Sequence, residues 1–200
     1  MNTNGQNVTP GYGILEKILS KKRAAIANFL IPKESREGRI LDIGCGTIPV
    51  FLLNTEFREK HGIDPSVRVS NESKNTHLQK YDIEEGGTLP FEDNFFDTVT
   101  MLAVFEHIEQ SMLPSVMREI KRVLKPGGVF IMTTPCPWAD KLLRIMARVK
   151  LVSQEGMDEH KGAYSHDDLR SYLQKGGFSE ENMRFGYFEL FLNSWATAQK

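Results

Sequence analysis

The chain has 200 residues, enough for one domain that buries roughly 70% of its unfolded surface. Its 25 Lys and Arg nearly balance 26 Asp and Glu, for a formal net charge of -1, which argues against a protein whose main work is gripping a phosphate backbone. Two cysteines, Cys45 and Cys136, make no disulfide framework, the start MNTNGQNVTP lacks the apolar core of a signal peptide, and no apolar run approaches about 18 residues, so a soluble cytoplasmic protein is expected.

The first ten or so residues are polar and expected to fray. A helix over about 13–31 follows, because Ile14, Leu15, Ile18, Leu19, Ala25, Ile26, Phe29 and Leu30 recur at helical spacing. Lys17, Lys21, Lys22 and Arg23 fill its gaps as a solvated face, and Pro32 stops it. The stretch RILDIGCGTIP, Arg39 to Pro49, then changes character in the middle. Ile40 to Ile43 are β-formers too few for a helix, and Gly44-Cys45-Gly46 supplies backbone able to take positive φ. Strand, glycine turn and helix in that order aim free N–H groups into the crevice at the carboxyl end of a parallel strand. Val50 to Leu53 begin the crossover helix. A second short strand, His61 to Asp64, ends in an acid about twenty residues on, the spacing at which a carboxylate accepts both hydroxyls of a cofactor ribose. Asp64-Pro65 turns the chain, and a nucleoside site is the reading of this pair of elements.

Ser66 to Asn75 is short and polar, so the second crossover holds a turn or so of helix. Leu78 to Ile83 is expected as a third strand, with Asp82-Ile83 at its ligand end. Thr98 to Val104 is apolar enough for a central strand and runs into Phe105-Glu106-His107. Leu113, Val116, Met117, Ile120, Val123 and Leu124 give the next helix a buried stripe, which Lys125-Pro126-Gly127-Gly128 ends. Val129 to Thr134 is the fifth strand, and the alternation so far requires a mostly parallel sheet with helices on both faces. Trp138 to Val152 then reads as an amphipathic helix, with Trp138, Leu142, Ile145 and Val149 on one side and Lys141, Arg144 and Arg148 on another. Ser165 and Asp168 form a capping box for a helix through about Lys175 that Gly176-Gly177 closes. Met183 to Leu190 and Asn193 to Ala198 finish the chain as an antiparallel hairpin. The whole is one domain over 1–200, with an insertion at about 136–164 that leaves the carboxyl edge of the sheet as a lid or as an ordinary crossover.

Five motifs in order, ILDIGCGT (Ile40 to Thr47), GIDPS (Gly62 to Ser66), YDIEEGGTLPFEDNFFDTV (Tyr81 to Val99), VFEHI (Val104 to Ile108) and REIKRVLKPGGVFIMTTP (Arg118 to Pro135), cover about half the chain. With these motifs it resembles the class I S-adenosylmethionine-dependent methyltransferases of the small-molecule type, which include the ubiquinone and menaquinone biosynthesis enzymes. The resemblance implies a Rossmann-like α/β fold with a seven-stranded sheet of order 3-2-1-4-5-7-6, strand 7 antiparallel. It implies S-adenosylmethionine as methyl donor, S-adenosylhomocysteine as product, and a small-molecule acceptor, lipid- or sugar-linked precursors included. Residue by residue, it implies that Gly44, Cys45 and Gly46 pass the methionine moiety while Asp42 holds the turn or the amino group. It gives Asp64, with Pro65 behind it, the ribose hydroxyls. Asp82 takes the adenine amine, Ile83 offers its backbone N–H to the ring, and Leu102 meets the methionine end. One departure stands out: Ile48 occupies the place of a third glycine and is expected to widen the contact between helix and strand.

Methyl transfer needs in-line placement, desolvation and, for a hydroxyl or protonated amine, a base. Glu106 and His107 are the nearest candidates, against a local capping role; His160, His166 and Tyr164 are further ones. No Asn-Pro-Pro-Tyr motif follows the fourth strand, Cys136 reads as an ordinary thiol, and Asp42, Asp64 and Asp82 sit on separate strands, so nucleic-acid methylation and a metal are not expected. A nicotinamide oxidoreductase and a non-catalytic S-adenosylmethionine-binding subunit remain as alternatives.

Overall fold

Seven β-forming segments lie side by side as one sheet in a computed structural model that describes residues 14–71, 73–138, 162–189 and 191–200. The strands are β1 (Arg39–Ile43), β2 (Glu59–Ile63), β3 (Thr76–Gln79), β4 (Phe96–Leu102), β5 (Leu124–Pro135), β6 (Met183–Phe188) and β7 (Asn193–Gln199). Their order is β3-β2-β1-β4-β5-β7-β6. The first five are parallel, and β7 runs antiparallel to both β5 and β6. Among the described residues the helices are α1 (Ile14–Leu30), α2 (Val50–Leu53), α3 (Ile83–Gly86), α4 (Leu113–Val123) and α5 (His166–Lys175).

The period-2 pleat sorts each strand's residues between two apolar layers. Leu41, Ile43, Val99, Met101, Phe130 and Met132 face one layer, with Val116, Met117 and Ile120 of α4 and Leu169 and Leu173 of α5. Ile40, Val129 and Ile131 face the other, with Ala27 of α1 and Phe51 and Leu52 of α2. The Ser165 hydroxyl accepts from the Asp168 N–H while the Asp168 carboxylate accepts from the Ser165 N–H, the reciprocal cap expected for α5. No described helix is long and apolar enough to cross a membrane.

Several boundaries differ from expectation. The third strand is Thr76–Gln79, not Leu78 to Ile83: Asp82 has left the sheet and caps α3, which Ile83 opens. The fourth ends at Leu102, because Ala103 turns to φ +57 and cannot continue the pleat. The second is Glu59–Ile63, which leaves Asp64 just past its end. β5 begins at Leu124, directly after α4, and Lys125 to Gly128 loop out between the Phe96↔Leu124 and Thr98↔Val129 pairs. Beyond Trp138 itself, the expected helix from Trp138 to Val152, with the bulk of the insertion and the frayed start, lies outside the described residues.

At the amino end of the sheet one side chain joins three segments. Asp97 Oδ2 accepts from the Arg39 backbone N–H at 2.8 Å and from the Lys125 ammonium at 2.6 Å. Gly38 is held against the same carboxylate so closely that a Cβ there would lie 2.0 Å from Oδ2. Removing it leaves the first N–H of β1 without its partner, so Asp97→Ala is expected to cost roughly 1–3 kcal/mol of unfolding free energy, read as a lower urea midpoint with an unchanged slope.

Candidate functional site

Parallel pairing of β2, β1 and β4 brings Ile63, Ile43 and Met101 level, so the loops that follow them open on the same crevice. After Ile43 the chain turns sharply because the N–H groups of Gly44 and Cys45 both donate to the Ile63 carbonyl, at 2.8 and 3.2 Å. Gly44 has φ +72 and Gly46 has φ +76, where other residues are strained. The two glycines differ in what surrounds them. A Cβ on Gly44 would come within 2.2 Å of Val104 Cγ2, whereas on Gly46 the nearest atom would be the Ile48 carbonyl oxygen at 3.8 Å. Gly44 is thus required by packing, and the open side of Gly46 leaves room for a ligand.

Asp64 laces two of the loops together. Its Oδ2 accepts from the Gly46 N–H at 3.0 Å, and its Oδ1 from the Ser66 N–H and hydroxyl at 2.8 and 2.6 Å. The backbone of Asp64 also bonds Gln79 and Tyr81, which draws the segment carrying Asp82 alongside. Asp82 Oδ1 accepts from the Glu84 N–H at 2.9 Å as the cap of α3, and the Ile83 N–H beside it is one of that helix's first-turn donors. Pro65 is exposed in the turn after Asp64, and Cys45 is buried over Gly62, whose own Cβ would lie 2.9 Å from the sulfur. Burial pushes the Cys45 thiol well up, so it is an inert packing group.

Asp42 faces the layer that contains Ile40 and is 3% exposed. Its Oδ1 accepts from the Thr100 hydroxyl at 2.7 Å. Burial pushes its carboxyl up to about 7 and the charge of Asp64 adds to that, while the Thr100 bond opposes it. Asp42 therefore does not hold the glycine turn, as one reading of the motif has it; Asp64 does, through Gly46. Ile48 is 44% exposed on the outside of the turn, so it does not wedge helix from strand.

At the end of β4, Leu102 is half-buried, and Ala103 keeps its left-handed conformation with its N–H on the Thr133 carbonyl at 2.9 Å. A non-glycine residue held there stores strain that the surrounding bonds must hold in place. Glu106 and His107 follow in one turn of 3-10 helix (Phe105–His107). Glu106 is 2% exposed and accepts from the Thr134 hydroxyl at 3.1 Å; His107 is half-buried. His166 stacks on Tyr187 at the terminal hairpin, and His160 lies outside the described residues. Cys136 is buried with its thiol also pushed up. Among the described residues no three His, Cys, Asp or Glu side chains could hold a metal ion. Sequence reasoning missed Thr100, Thr134 and the approach of Val104 to Gly44, since each is a contact across strands with no local signal.

The result is a crevice floored by glycine backbone, with two half-buried carboxylates on neighbouring loops and a third, near-neutral one beneath them. It suits a ligand that brings hydroxyls, an amino group and positive charge.

The model of a family described as a methyltransferase domain matches residues 15–181. An uncharacterised protein of Methanocaldococcus jannaschii is 33% identical over 116 residues, 57% of this chain and 44% of its own length. A demethylmenaquinone methyltransferase of Staphylococcus haemolyticus is 26% identical over 137 residues, 63% of this chain and 56% of its own. The chain thus spans about half the length of the curated relatives it matches. The crystal structure of a SAM-dependent methyltransferase from Archaeoglobus fulgidus superposes with a TM-score of 0.66 at 17% identity, covering 94% of this chain and 95% of that one, and so shares the fold.

The raised carboxyl of Asp42 has a stability consequence. Because the folded protein holds that proton up to about pH 7 and the unfolded chain only to about 3.8, stability is lost as pH rises across that window. Asp42→Asn keeps an acceptor for Thr100 and has no charge to bury, so its melting temperature should match the wild type near pH 4 and exceed it increasingly up to pH 8. Parallel curves across that range would show that Asp42 is ionised throughout.

Proposed function

The chain belongs to this methyltransferase family, and from that premise we propose that it transfers a methyl group from S-adenosylmethionine to a small-molecule acceptor. The observation that carries the reading is the pair of carboxylates Asp64 and Asp82 on adjacent loops above the Gly44 turn. Each carboxylate oxygen has two lone pairs, so Asp64 can keep its three bonds to Gly46 and Ser66 and still accept from one ribose hydroxyl through Oδ2; the second ribose hydroxyl takes the place of the Ser66 hydroxyl on Oδ1. Asp82 and the Ile83 N–H set an acceptor next to a donor, the pattern that an adenine edge complements. That pairing survives the shift of both residues from a strand end to a helix start. Gly46 leaves space for the methionine moiety, with Leu102 at its far end.

When bound, S-adenosylmethionine supplies an electrophilic methyl on a sulfonium, already a good leaving group. The protein's work is then orientation and exclusion of water. Asp64 and Asp82 give the crevice negative charge that favours the cationic donor over its neutral product. The demethylmenaquinone methyltransferase relative supports an acceptor of small-molecule size.

Isothermal titration with S-adenosylhomocysteine and with NADH tests this. S-adenosylhomocysteine should bind and NADH should not. Asp64→Ala should weaken S-adenosylhomocysteine about ten- to a hundred-fold, the equivalent of roughly 1.5–3 kcal/mol for charge-assisted bonds. Because Asp64 also ties Gly46 to Ser66, circular dichroism of the variant must show an intact fold. Tight NADH binding, or unchanged affinity in a folded variant, would sink the assignment.

A further inference from the structure

At the amino end of the sheet, away from the crevice, the buried side chains of Thr55, Phe57 and Lys60 floor a groove of about 740 Å³. Lys60, the second residue of β2, is 9% exposed. Its ammonium donates to the Leu52 carbonyl at 2.8 Å and reaches the Thr55 carbonyl at 3.5 Å. Among the described residues no carboxylate lies within ion-pair distance of it. Burial draws its pKa below the usual lysine value. A cation enclosed in this way is costly unless an anion meets it.

Three more cations gather on the same groove. Lys33 and Arg36 come from a turn of 3-10 helix (Lys33–Glu37), and Arg58 stands directly before β2. Arg36 is fixed by its two Nη groups, which donate to the Thr55 hydroxyl, the Glu56 carbonyl and the backbone and side-chain oxygens of Asn28 at 3.0 to 3.3 Å. All four acceptors are neutral, so the guanidinium is held in place with its charge uncompensated. Glu37 and Glu56 line the groove as well, yet among the described residues neither pairs with any of the four cations. Capping of the last carbonyls of α2 accounts for Lys60 and for none of the others.

We propose that this groove binds a phosphate monoester, a small molecule with a dianionic head and an organic body. The groove holds two more cations than acids, which the two charges of the head match. A tetrahedral phosphate points its oxygens in several directions and so meets donors that arrive from two separate segments, whereas a carboxylate accepts in one plane. The volume falls within the roughly 300–1,000 Å³ of small-molecule sites and exceeds what bare phosphate fills, which leaves space for the body of the ester. Asp64 lies beyond the other end of β2, four residues from Lys60 and about 13 Å away at the rise of a strand. The ligand is therefore not the methyl donor, and the site stands independently of the methyltransferase reading.

Amide NMR of the full chain titrated with phenyl phosphate tests this, against benzoate, a carboxylate on the same ring, and phthalate, a dianion of the same charge. Phenyl phosphate should give saturable shifts at Arg36, Thr55 and Arg58, and the two carboxylates should not saturate. Arg58→Glu, a change on the exposed rim, should weaken phenyl phosphate about tenfold or more. Lys60→Met keeps the stem, removes the ammonium and should abolish saturation; if loss of the α2 cap unfolds that variant, Arg58→Glu still decides. Equal saturation by phthalate would overturn the phosphate assignment. Shifts confined to the loops around Gly44 and Asp64 would put the ligand in the crevice and overturn the site. So would wild-type affinity in Arg58→Glu, or no saturation by about 10 mM phenyl phosphate, either of which would reduce the four cations to a solvated face.

Discussion

The carboxylate of Asp64 joins loops that the sheet alone leaves separate. Pairing of β1 with β2 stops at Ile43 and Ile63, and past that point the backbone has no ladder to follow. Bonds from Gly46 and Ser66 to one side chain, with backbone links from Asp64 to Gln79 and Tyr81, take over where the ladder ends. The glycine turn can then keep two positive φ angles without fraying, and Asp82 comes to rest within reach of the same crevice. A side chain that serves the loop and still has a lone pair to spare meets a ligand from a position already fixed, which is the structural form of pre-organisation.

The crevice is also costly to maintain. Among the described residues, Asp42 is buried with one hydroxyl for a partner, Ala103 is held left-handed, and Glu106 is enclosed without a cation. None of these helps the fold. Each stands at the carboxyl edge of the sheet, while the opposite edge holds a well-paired acid: Asp97 accepts from a backbone N–H and a lysine together. The half-buried Asp97 is thus well paired where the chain is held together, while among the described residues the buried Asp42 and Glu106 each keep one side-chain hydrogen bond, from a threonine hydroxyl. That asymmetry is what functional sites show when stability has been given up for binding or chemistry.

Much of this was legible in the residues. The alternation of short β-forming runs with helical stripes implies a parallel sheet, and the Gly44-Cys45-Gly46 break implies a tight turn at a strand end. The capping box at Ser165 and Asp168 is local chemistry and appears where its spacing predicts. The register of β3 was not legible. His77 and Gln79 alternate outward on an edge strand, so polarity there marks no boundary, and the apolar Ile83 reads as strand although Asp82 starts a helix in front of it. The end of β4 was misjudged for a similar reason: Ala103 and Val104 are good strand residues, and only the packing of Val104 on Gly44 forces the turn between them.

By itself, then, the sequence determined what depends on neighbours a few residues away: element order, the glycine turn and the capping box. The tertiary structure decided the partners. Thr100 reaches Asp42 across 58 residues of chain, Thr134 reaches Glu106 across 28, and Gly46 reaches Asp64 across 18. Those contacts follow from strand register, and register is set by the packing of two whole apolar layers, a sum over distant side chains that no local window of residues contains.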